Sequence, residues 1–182
     1  MSTDRDEITA RLTAPGAPFE IRTEDVRGVP LPVFARRQQT LGQVLRASEH
    51  FGEREYLVTE NASMSFTEHL AHVGALAAAL RDRFGIGKGD RVAICSANNP
   101  EWIVIFWATV ALGAVAVGLN SLWAPPELEH GMSLTEPTVI FADAPRRALV
   151  GEPGIPVVSI EDELPALLRE YAGAPLPQDV NG

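Results

Sequence analysis

The sequence predicts an α/β domain with an open, mostly parallel sheet that has helices on both faces. Two short, apolar, β-rich segments, Arg91–Cys95 and Ala114–Val117, have the pattern of strands that are buried on both faces. Between them lies Trp102–Leu112, an apolar segment whose pattern indicates a helix buried nearly all round. A strand, a crossover helix and a second strand imply parallel pairing. Because strands and helices alternate as far as Tyr171, the region is α/β, doubly wound or close to it.

The first 39 residues are predicted to form an N-terminal arm (1–39) with a short helix and edge strands. Its expected elements are a helix over residues 4–13 and strands over residues 19–23 and 29–34. Arg27 and Gly28 can supply the turn between the two strands. Pro30 and Pro32 confine the second strand to an edge, because proline has no N–H to donate to a neighbouring strand.

Residues 40–171 are predicted to form an α/β subdomain. Its expected helices cover residues 41–50, 66–84, 100–112, 125–134, 145–150 and 161–171, and its expected strands cover residues 56–58, 64–66, 91–95, 114–117, 138–142 and 156–160. Residues 172–182 have the composition of a linker, and the domain is expected to be cut there.

Capping residues mark the starts of the two longest helices. Ser65 and Glu68 have the spacing of a capping box, although Thr67 is an equally good N-cap for the same helix. Asn99 is the expected N-cap of the second helix. Pro100 then takes its first position, where the missing N–H costs nothing.

A membrane span is the main alternative for residues 103–119, where Thr109 is the one polar residue. As a single helix the segment would be about 25 Å long at roughly 1.5 Å per residue, which is shorter than the roughly 30 Å hydrocarbon core of a bilayer. Gly113 and Gly118 interrupt it, and no Lys or Arg follows within ten residues to anchor an end. The buried strand–helix–strand unit is therefore the preferred interpretation.

The composition is that of a globular domain without a broad affinity for anionic partners. The chain of 182 residues is 46% hydrophobic and 21% charged, and its formal net charge is −9. That charge argues against nucleic acid and anionic lipid as partners.

The single cysteine, Cys95, lies in a predicted buried strand and has no second cysteine to pair with. Since the N-terminal sequence also lacks the apolar core of a signal peptide, a reduced cytoplasmic location is expected.

Motifs for catalysis or metal binding are scarce. The sequence has no G-x-S-x-G nucleophile elbow, no Walker loop and no paired-cysteine zinc motif. His69 and His72 are three residues apart on a predicted helix and could contact one ion. No Cys or carboxylate cluster completes such a site, so surface or boundary histidines are the expected interpretation. The sequence therefore assigns no catalytic, cofactor-binding or metal-binding residue.

Two loops invite a ligand-binding interpretation. Gly85–Asp90 is rich in glycine, but it follows a helix and opens a strand, whereas a phosphate-binding loop does the reverse. It is predicted to be a connector, with Gly85 as the helix C-cap. Ser96–Asn99 follows a strand and meets a helix N-terminus, where open α/β sheets bind ligands. Capping and turn formation account for every residue in that loop, and they are the preferred interpretation.

Three segments nevertheless occur in an informative order: SFTEHL from Ser65, GIGKGDRVAI from Gly85, and NNPEWIVIFWATVALGAVAVGLN from Asn98. They resemble the T-Y-x-E-L helix start, the G-x-x-x-G-D-R-V-A strand entry, and the N-x-P-E-W and A-G-A-x-x-V-P-L-N segments of the adenylate-forming superfamily. That superfamily contains acyl-CoA synthetases, peptide-synthetase adenylation domains and luciferases. The similarity covers about residues 40–160 and looks most like the bacterial fatty-acyl-CoA ligases. His69 and Gly118 depart from the usual Leu and Pro.

The resemblance implies the N-terminal subdomain of the acyl-CoA synthetase-like fold, truncated from a longer parent enzyme. Such a parent would use ATP and Mg²⁺ to convert a carboxylic acid, such as a fatty acid, into an acyl-adenylate. It would then pass the acyl group to CoA. The family's phosphate loop, its adenine-binding motifs and its small domain with the catalytic lysine do not occur in this sequence. We therefore expect the chain alone to be inactive, to hold no cofactor of its own and to self-associate through uncovered surface.

Two alternatives to a ligase fragment remain open at the level of the sequence. The chain could be a non-catalytic α/β interaction module. It could also be a membrane-attached protein that uses residues 103–119, in which case its solubility would depend on detergent.

Overall fold

A computed structural model describes residues 2–178, which form two compact units that meet in sequence at the Gln39–Thr40 bond. The first unit contains α1 (Ser2–Thr13), β1 (Ile21–Val26) and β2 (Val29–Phe34). The two strands pair antiparallel, with Val26 opposite Val29. Arg27 and Gly28 join them with φ angles of 54° and 82°, the positive values that a type I′ hairpin turn requires.

The strand predicted over residues 19–23 begins at Ile21 instead. The N–H of Phe19 donates to the carbonyl of Leu12 at 3.1 Å, and the N–H of Glu20 donates to Ala17 at 3.1 Å. Because these two donors serve the turn that follows α1, pairing with β2 starts only at Ile21.

The second unit contains the remaining elements. They are α2 (Leu41–Ala47), a 3-10 helix (Ser48–Phe51), β3 (Glu55–Val58), β4 (Ser63–Ser65), α3 (Phe66–Phe84), β5 (Arg91–Cys95), α4 (Pro100–Ala111), β6 (Val115–Gly118), α5 (Pro125–Thr135), β7 (Val139–Ala142), α6 (Ala144–Val150), β8 (Val157–Ser159) and α7 (Leu164–Glu170). β3 and β4 form an antiparallel pair with Leu57 opposite Met64. The helix predicted over residues 41–50 is divided in the structure, because α2 ends at Ala47 and a 3-10 helix continues from Ser48 to Phe51.

The other four strands form one parallel sheet in the order β6-β5-β7-β8. Ala93 of β5 lies opposite Val117 of β6 on one side and opposite Ile140 of β7 on the other. The chain advances from β5 to β6 in one direction and from β7 to β8 in the other. The sheet therefore changes its winding direction between β5 and β7.

Alternate residues of the strands bury against helices on opposite faces of this sheet. On one face, Val92 and Ile94 belong to an apolar cluster that also contains buried side chains of α3, α4 and α7. On the other face, Ala93 and Cys95 belong to a second cluster with Leu128 of α5 and Val150 of α6. This alternation is the side-chain period of a strand. The predicted α/β class, with a parallel sheet and helices on both faces, is confirmed.

Both predicted starts of the long helices are found, and one ambiguity is resolved. Ser65 is the N-cap of α3, because its hydroxyl accepts from the Glu68 N–H while the Glu68 carboxylate accepts from the Ser65 N–H, a complete capping box. Thr67 is inside the helix and does not cap it. Gly85 ends α3 in the left-handed conformation at φ 67°, which glycine adopts without steric cost.

The prediction that α4 is buried nearly all round is wrong in extent. Five of its residues are buried, namely Val104, Ile105, Ala108, Thr109 and Ala111, and the other residues of the helix are half-buried. A helix that lies against one face of a sheet buries only the stripe that faces the sheet. The buried hydroxyl of Thr109 is satisfied inside the helix, since it donates to the carbonyl of Ile105 at 2.7 Å.

The membrane alternative for residues 103–119 is wrong, because that segment is not one helix. It comprises the end of α4, a turn at Gly113 with φ 72°, and strand β6. Within residues 2–178, none of the helices combines the length and the apolar character that crossing a bilayer would require.

Helix α7 begins at Leu164, three residues after the predicted start. The side chains just before it bond back to the end of β8. The N–H of Ser159 donates to a carboxylate oxygen of Glu163 at 2.8 Å, and the N–H of Asp162 donates to the Ser159 hydroxyl at 3.1 Å. Asp and Ser in such local bonds favour turns over helix.

The predicted linker packs against the domain in its first part. A β-carbon added at Gly74 of α3 would lie 2.4 Å from the backbone oxygen of Ala174, so this part of the chain closely contacts the helix. Leu176 packs on the main apolar cluster, and the Arg46 guanidinium donates to the Pro177 carbonyl. Residues 179–182 of the predicted linker lie outside the described residues.

Candidate functional site

The candidate site is the C-terminal edge of the sheet between β5 and β7. From β5 the Ser96–Asn99 loop leads to α4 on one face of the sheet, whereas β7 leads to α6 on the other face. The two connections diverge and leave a crevice between them, which is where open α/β sheets bind ligands. The sequence places the Ser96–Asn99 loop at this edge, and the structure does the same.

The polar atoms of the Ser96–Asn99 loop serve the loop and the helix that follows it. The Asn99 side-chain oxygen accepts from the Trp102 N–H at 2.8 Å, the N-cap bond predicted from the sequence. The Ser96 hydroxyl donates to the carbonyl of Ala97 at 3.0 Å. Capping and turn formation thus account for these side chains.

Asp143 is the residue that the sequence analysis missed. Its carboxylate is buried at 5% exposure and joins the two connections, because Oδ2 accepts from the Ala97 N–H at 2.9 Å. The other oxygen, Oδ1, caps α6 by accepting from the Arg146 N–H at 3.1 Å. An Asp directly after an apolar strand, with Pro145 two residues on, is an N-cap pattern that is visible in the sequence.

Arg146 neutralises the Asp143 carboxylate and extends the network. Its Nη1 lies 3.0 Å from Asp143 Oδ2, and its Nε donates to the carbonyl of Ser121 at 3.1 Å. One ion pair therefore fixes three connections at the same edge of the sheet: the loop after β5, the loop after β6 and the start of α6. Since both groups are bound to each other and to the backbone, their role in this arrangement is to hold the crevice in shape.

Cys95, at the end of β5, is not a nucleophile in this environment. Burial raises the pKa of its thiol to about 11, and the negative charge of Asp143 adds to the effect. The thiolate is the reactive form of cysteine, and it is scarce near neutral pH when the pKa is this high. The prediction that Cys95 lies in a buried strand is confirmed.

The residues of the glycine-rich connector do not fit a nucleotide triphosphate. The connector lies at the N-terminal edge of the sheet, and the N–H groups of its three glycines are already engaged. Gly87 donates to the Asp90 carboxylate at 2.8 Å, and Gly89 donates to the carbonyl of Gly113 at 3.0 Å. A phosphate-binding loop needs free N–H groups that point at the ligand. Residues 2–178 also contain no group of three His, Cys, Asp or Glu that could hold a metal ion.

His69 occupies a position that the sequence analysis did not predict. It is 1% exposed, so it is neither a surface nor a boundary histidine, and that expectation is wrong. Neither of its ring nitrogens has a hydrogen-bond partner among the described residues. His72 is half-buried on the same helix. The Tyr56 ring of β3 lies 4.7 Å from the His69 ring, a contact between separate segments that helical spacing alone does not reveal.

Comparison with known protein families identifies the fold. The profile of the AMP-binding enzyme family matches residues 44–178, which is most of the chain. The chain belongs to this family. The matched range includes the residues of the sheet, of the crevice and of the segment that packs on Gly74.

Similar proteins are acyl-CoA ligases. The chain is 34% identical over 105 residues to the acyl-CoA ligase sidI of Beauveria bassiana, covering 56% of this chain and 18% of that protein. It is 33% identical over 90 residues to the long-chain-fatty-acid–CoA ligase FadD13 of Mycobacterium tuberculosis, covering 50% of this chain and 17% of that protein. The chain thus spans about a fifth of the length of these curated relatives.

A solved structure shows which part of a ligase this AMP-binding domain represents. The N-terminal domain of FACL13 from Mycobacterium tuberculosis superposes with a TM-score of 0.71 at 29% identity, covering 80% of this chain and 39% of that one. The resemblance to the N-terminal part of bacterial fatty-acyl-CoA ligases is confirmed, and so is the acyl-CoA synthetase-like fold.

Proposed function

We propose that this chain is the N-terminal part of an ATP-dependent carboxylic acid:CoA ligase whose substrate is a fatty acid. The whole enzyme would join the acid to AMP with release of pyrophosphate, and would then transfer the acyl group from AMP to the thiol of CoA. The observation that carries the proposal is the family match over residues 44–178. The relative named as a long-chain-fatty-acid–CoA ligase supports a fatty acid as the substrate class.

Within such an enzyme, this chain contributes a scaffold. Two apolar clusters hold the sheet rigid, and the Asp143–Arg146 pair fixes the loops at its C-terminal edge. ATP, Mg²⁺ and CoA are expected to be held chiefly by residues outside these 182. The triphosphate needs dense compensation by N–H groups and cations, and the three glycines of the connector have their N–H groups engaged. The net charge of −9 further opposes an anion at long range.

The proposal makes a direct prediction about the isolated chain. We expect it neither to bind MgATP with micromolar affinity nor to exchange pyrophosphate into ATP in the presence of a fatty acid. A longer form of the protein that includes the phosphate loop should do both. Titration calorimetry and pyrophosphate exchange on the two forms measure this. Exchange by the 182-residue chain would contradict the scaffold role, whereas no exchange by the longer form would favour a non-catalytic interaction module.

A cytoplasmic location belongs to the same proposal. The one cysteine of the sequence is buried and unpaired, as is usual for proteins of a reducing compartment. Fractionation of cells that express the tagged protein would measure this, and recovery in a secreted or periplasmic fraction would contradict it.

A further inference from the structure

A cavity of about 290 Å³ lies in the second unit. The residues that line it are separate from those of the crevice between β5 and β7. Its walls come from α2, the 3-10 helix, β3, α3 and α4. Most of the lining is apolar or aromatic and includes Leu45, Phe51, Tyr56, Phe66, His69 and Trp107. The family match and the proposed ligase chemistry assign no role to this cavity.

His69 is the buried polar group in the described lining whose hydrogen bonds are unmade. Its side chain is 1% exposed, and Nδ1 and Nε2 both lack a partner among residues 2–178. Burial, together with the nearby charge of His72, lowers the pKa of the ring to about 4, so the ring is neutral near pH 7. A neutral imidazole offers one N–H donor and one acceptor nitrogen. Buried polar groups almost always find a partner, so this pair requires an explanation.

The other polar side chains of the cavity do not supply that partner. The hydroxyl of Ser48 donates to the carbonyl of Leu45 at 2.6 Å, and the ring of His50 bonds to the carbonyl of Ala47. Both groups are therefore directed at the backbone of their own turn. Tyr56 and Trp107 also carry polar atoms, but among the buried side-chain atoms of the described lining, the two ring nitrogens of His69 are the ones without a partner.

Aromatic rings form the surface beside this histidine. The rings of Tyr56 and His69 meet edge to face, with centroids 4.7 Å apart. The Phe66 ring lies 4.5 Å from the Tyr56 ring and 4.6 Å from the Phe51 ring. Continuous aromatic walls favour an apolar, flat occupant, because such walls gain contact area without meeting polar groups.

We propose that this cavity binds a small neutral ring compound that carries one hydroxyl group. The ring would pack against the aromatic walls, and the hydroxyl would donate to the acceptor nitrogen of His69 or accept from its N–H. The described lining contains no Lys, Arg, Asp or Glu. A charged ligand would therefore lose its hydration without gaining a counter-charge.

Phenol and toluene form a matched pair of probes, since they share one shape and differ by a hydroxyl in place of a methyl. Titrating the 182-residue chain with each, we expect phenol to bind about fivefold to tenfold more tightly, the ratio that one net hydrogen bond supplies. The ring ¹⁵N signals of His69 should move with phenol and stay in place with toluene, because only phenol can hydrogen-bond to the ring.

Two variants separate the histidine from the cavity. His69→Leu keeps an apolar side chain of similar size, so it should bind toluene and lose the preference for phenol. His130→Leu makes the same replacement at an exposed position on α5 and should keep that preference. Circular dichroism establishes that each variant folds, and if His69→Leu does not fold, the ¹⁵N shifts of the wild-type chain decide. Equal affinity for the two probes, no uptake of either, or phenol preference retained in His69→Leu would overturn the proposal.

Discussion

At the residue scale, His69 couples folding to pH. Burial lowers its pKa from 6.5 to about 4, with a smaller contribution from His72. Above pH 6.5 the ring is neutral in both the folded and the unfolded chain. Between pH 6.5 and 4 the unfolded chain binds a proton that the folded chain excludes, so the free energy of unfolding falls as the pH falls. At 1.36 kcal/mol per pKa unit, the total loss is about 3 kcal/mol.

The first prediction is that His69→Leu removes this dependence. Urea unfolding at several values between pH 7 and pH 4 should show the wild-type chain losing about 3 kcal/mol more than the variant. At pH 7 the variant should be as stable as the wild type or about 1 kcal/mol more stable, because it no longer buries an unpaired polar ring. His130→Leu is the matched control and should follow the wild type. Parallel pH curves for wild type and His69→Leu would show that the ring has the same pKa in the folded and the unfolded chain, and would contradict the prediction.

Gly74 provides a second test at this scale. Replacing glycine by alanine inside a helix normally stabilises a protein by roughly 0.5–1 kcal/mol. Here the added β-carbon would lie 2.4 Å from the backbone oxygen of Ala174. Backbone cannot rotate away as a side chain can, so Gly74→Ala should lower the stability by about 1–3 kcal/mol and make residues 172–178 more susceptible to protease.

The control for Gly74→Ala is Gly118→Ala, where the new β-carbon would meet the Trp102 ring at an ordinary 3.8 Å. Its urea midpoint should stay close to that of the wild type. If Gly74→Ala were stabilising and left protease resistance unchanged, the segment after α7 would not pack on α3.

At the scale of the element, α4 determines whether the sheet is covered. Ile105 faces the sheet at 0% exposure. Ile105→Asp should unfold the second unit, because an unpaired buried carboxylate costs several kcal/mol. Leu122→Asp introduces the same charge at a position that is 85% exposed and should leave the circular dichroism spectrum unchanged. A soluble Ile105→Asp variant with the wild-type urea midpoint would contradict the burial of this face.

Local signals in the sequence were sufficient for several elements. The bounds of β2 and β5 agree with the prediction, because prolines and apolar runs mark them directly. The capping box at Ser65 and the N-cap at Asn99 are likewise set by residues within one turn of the helix start. Features that depend on neighbours a few residues away can be read from one sequence.

What the sequence did not reveal depends on contacts between distant segments. Asp143 matters because β7 pairs with β5 and brings its carboxylate to Ala97, and strand order is not written in any one strand. His69 is buried, with the Tyr56 ring of β3 against it, although its helical position resembles that of a boundary residue. The start of α7 shifted because Ser159 competes for the local donors and acceptors.

At the scale of the whole molecule, the sheet has two outer strands, β6 and β8. Within residues 2–178 no further strand pairs with either of them. An outer strand presents unpaired N–H and C=O groups that can pair with another chain. Val115 of β6 is 48% exposed, and Leu122 and Leu134 are 85% and 74% exposed. The match with this chain covers 18% and 17% of the two curated relatives, so in those proteins the remaining residues are available to cover such surface.

The last prediction is that the 182-residue chain self-associates through this uncovered surface. Light scattering after size exclusion should give a mass above that of the 19.6 kDa monomer, and the mass should rise with concentration. Val115→Lys places a charge on the outer strand β6 and should lower the mass, because lysine at an edge opposes strand pairing. Leu134→Lys makes a similar change on helix α5 and should lower it less. A monodisperse monomer at high concentration without detergent would show that the edges of the sheet are closed within the chain itself.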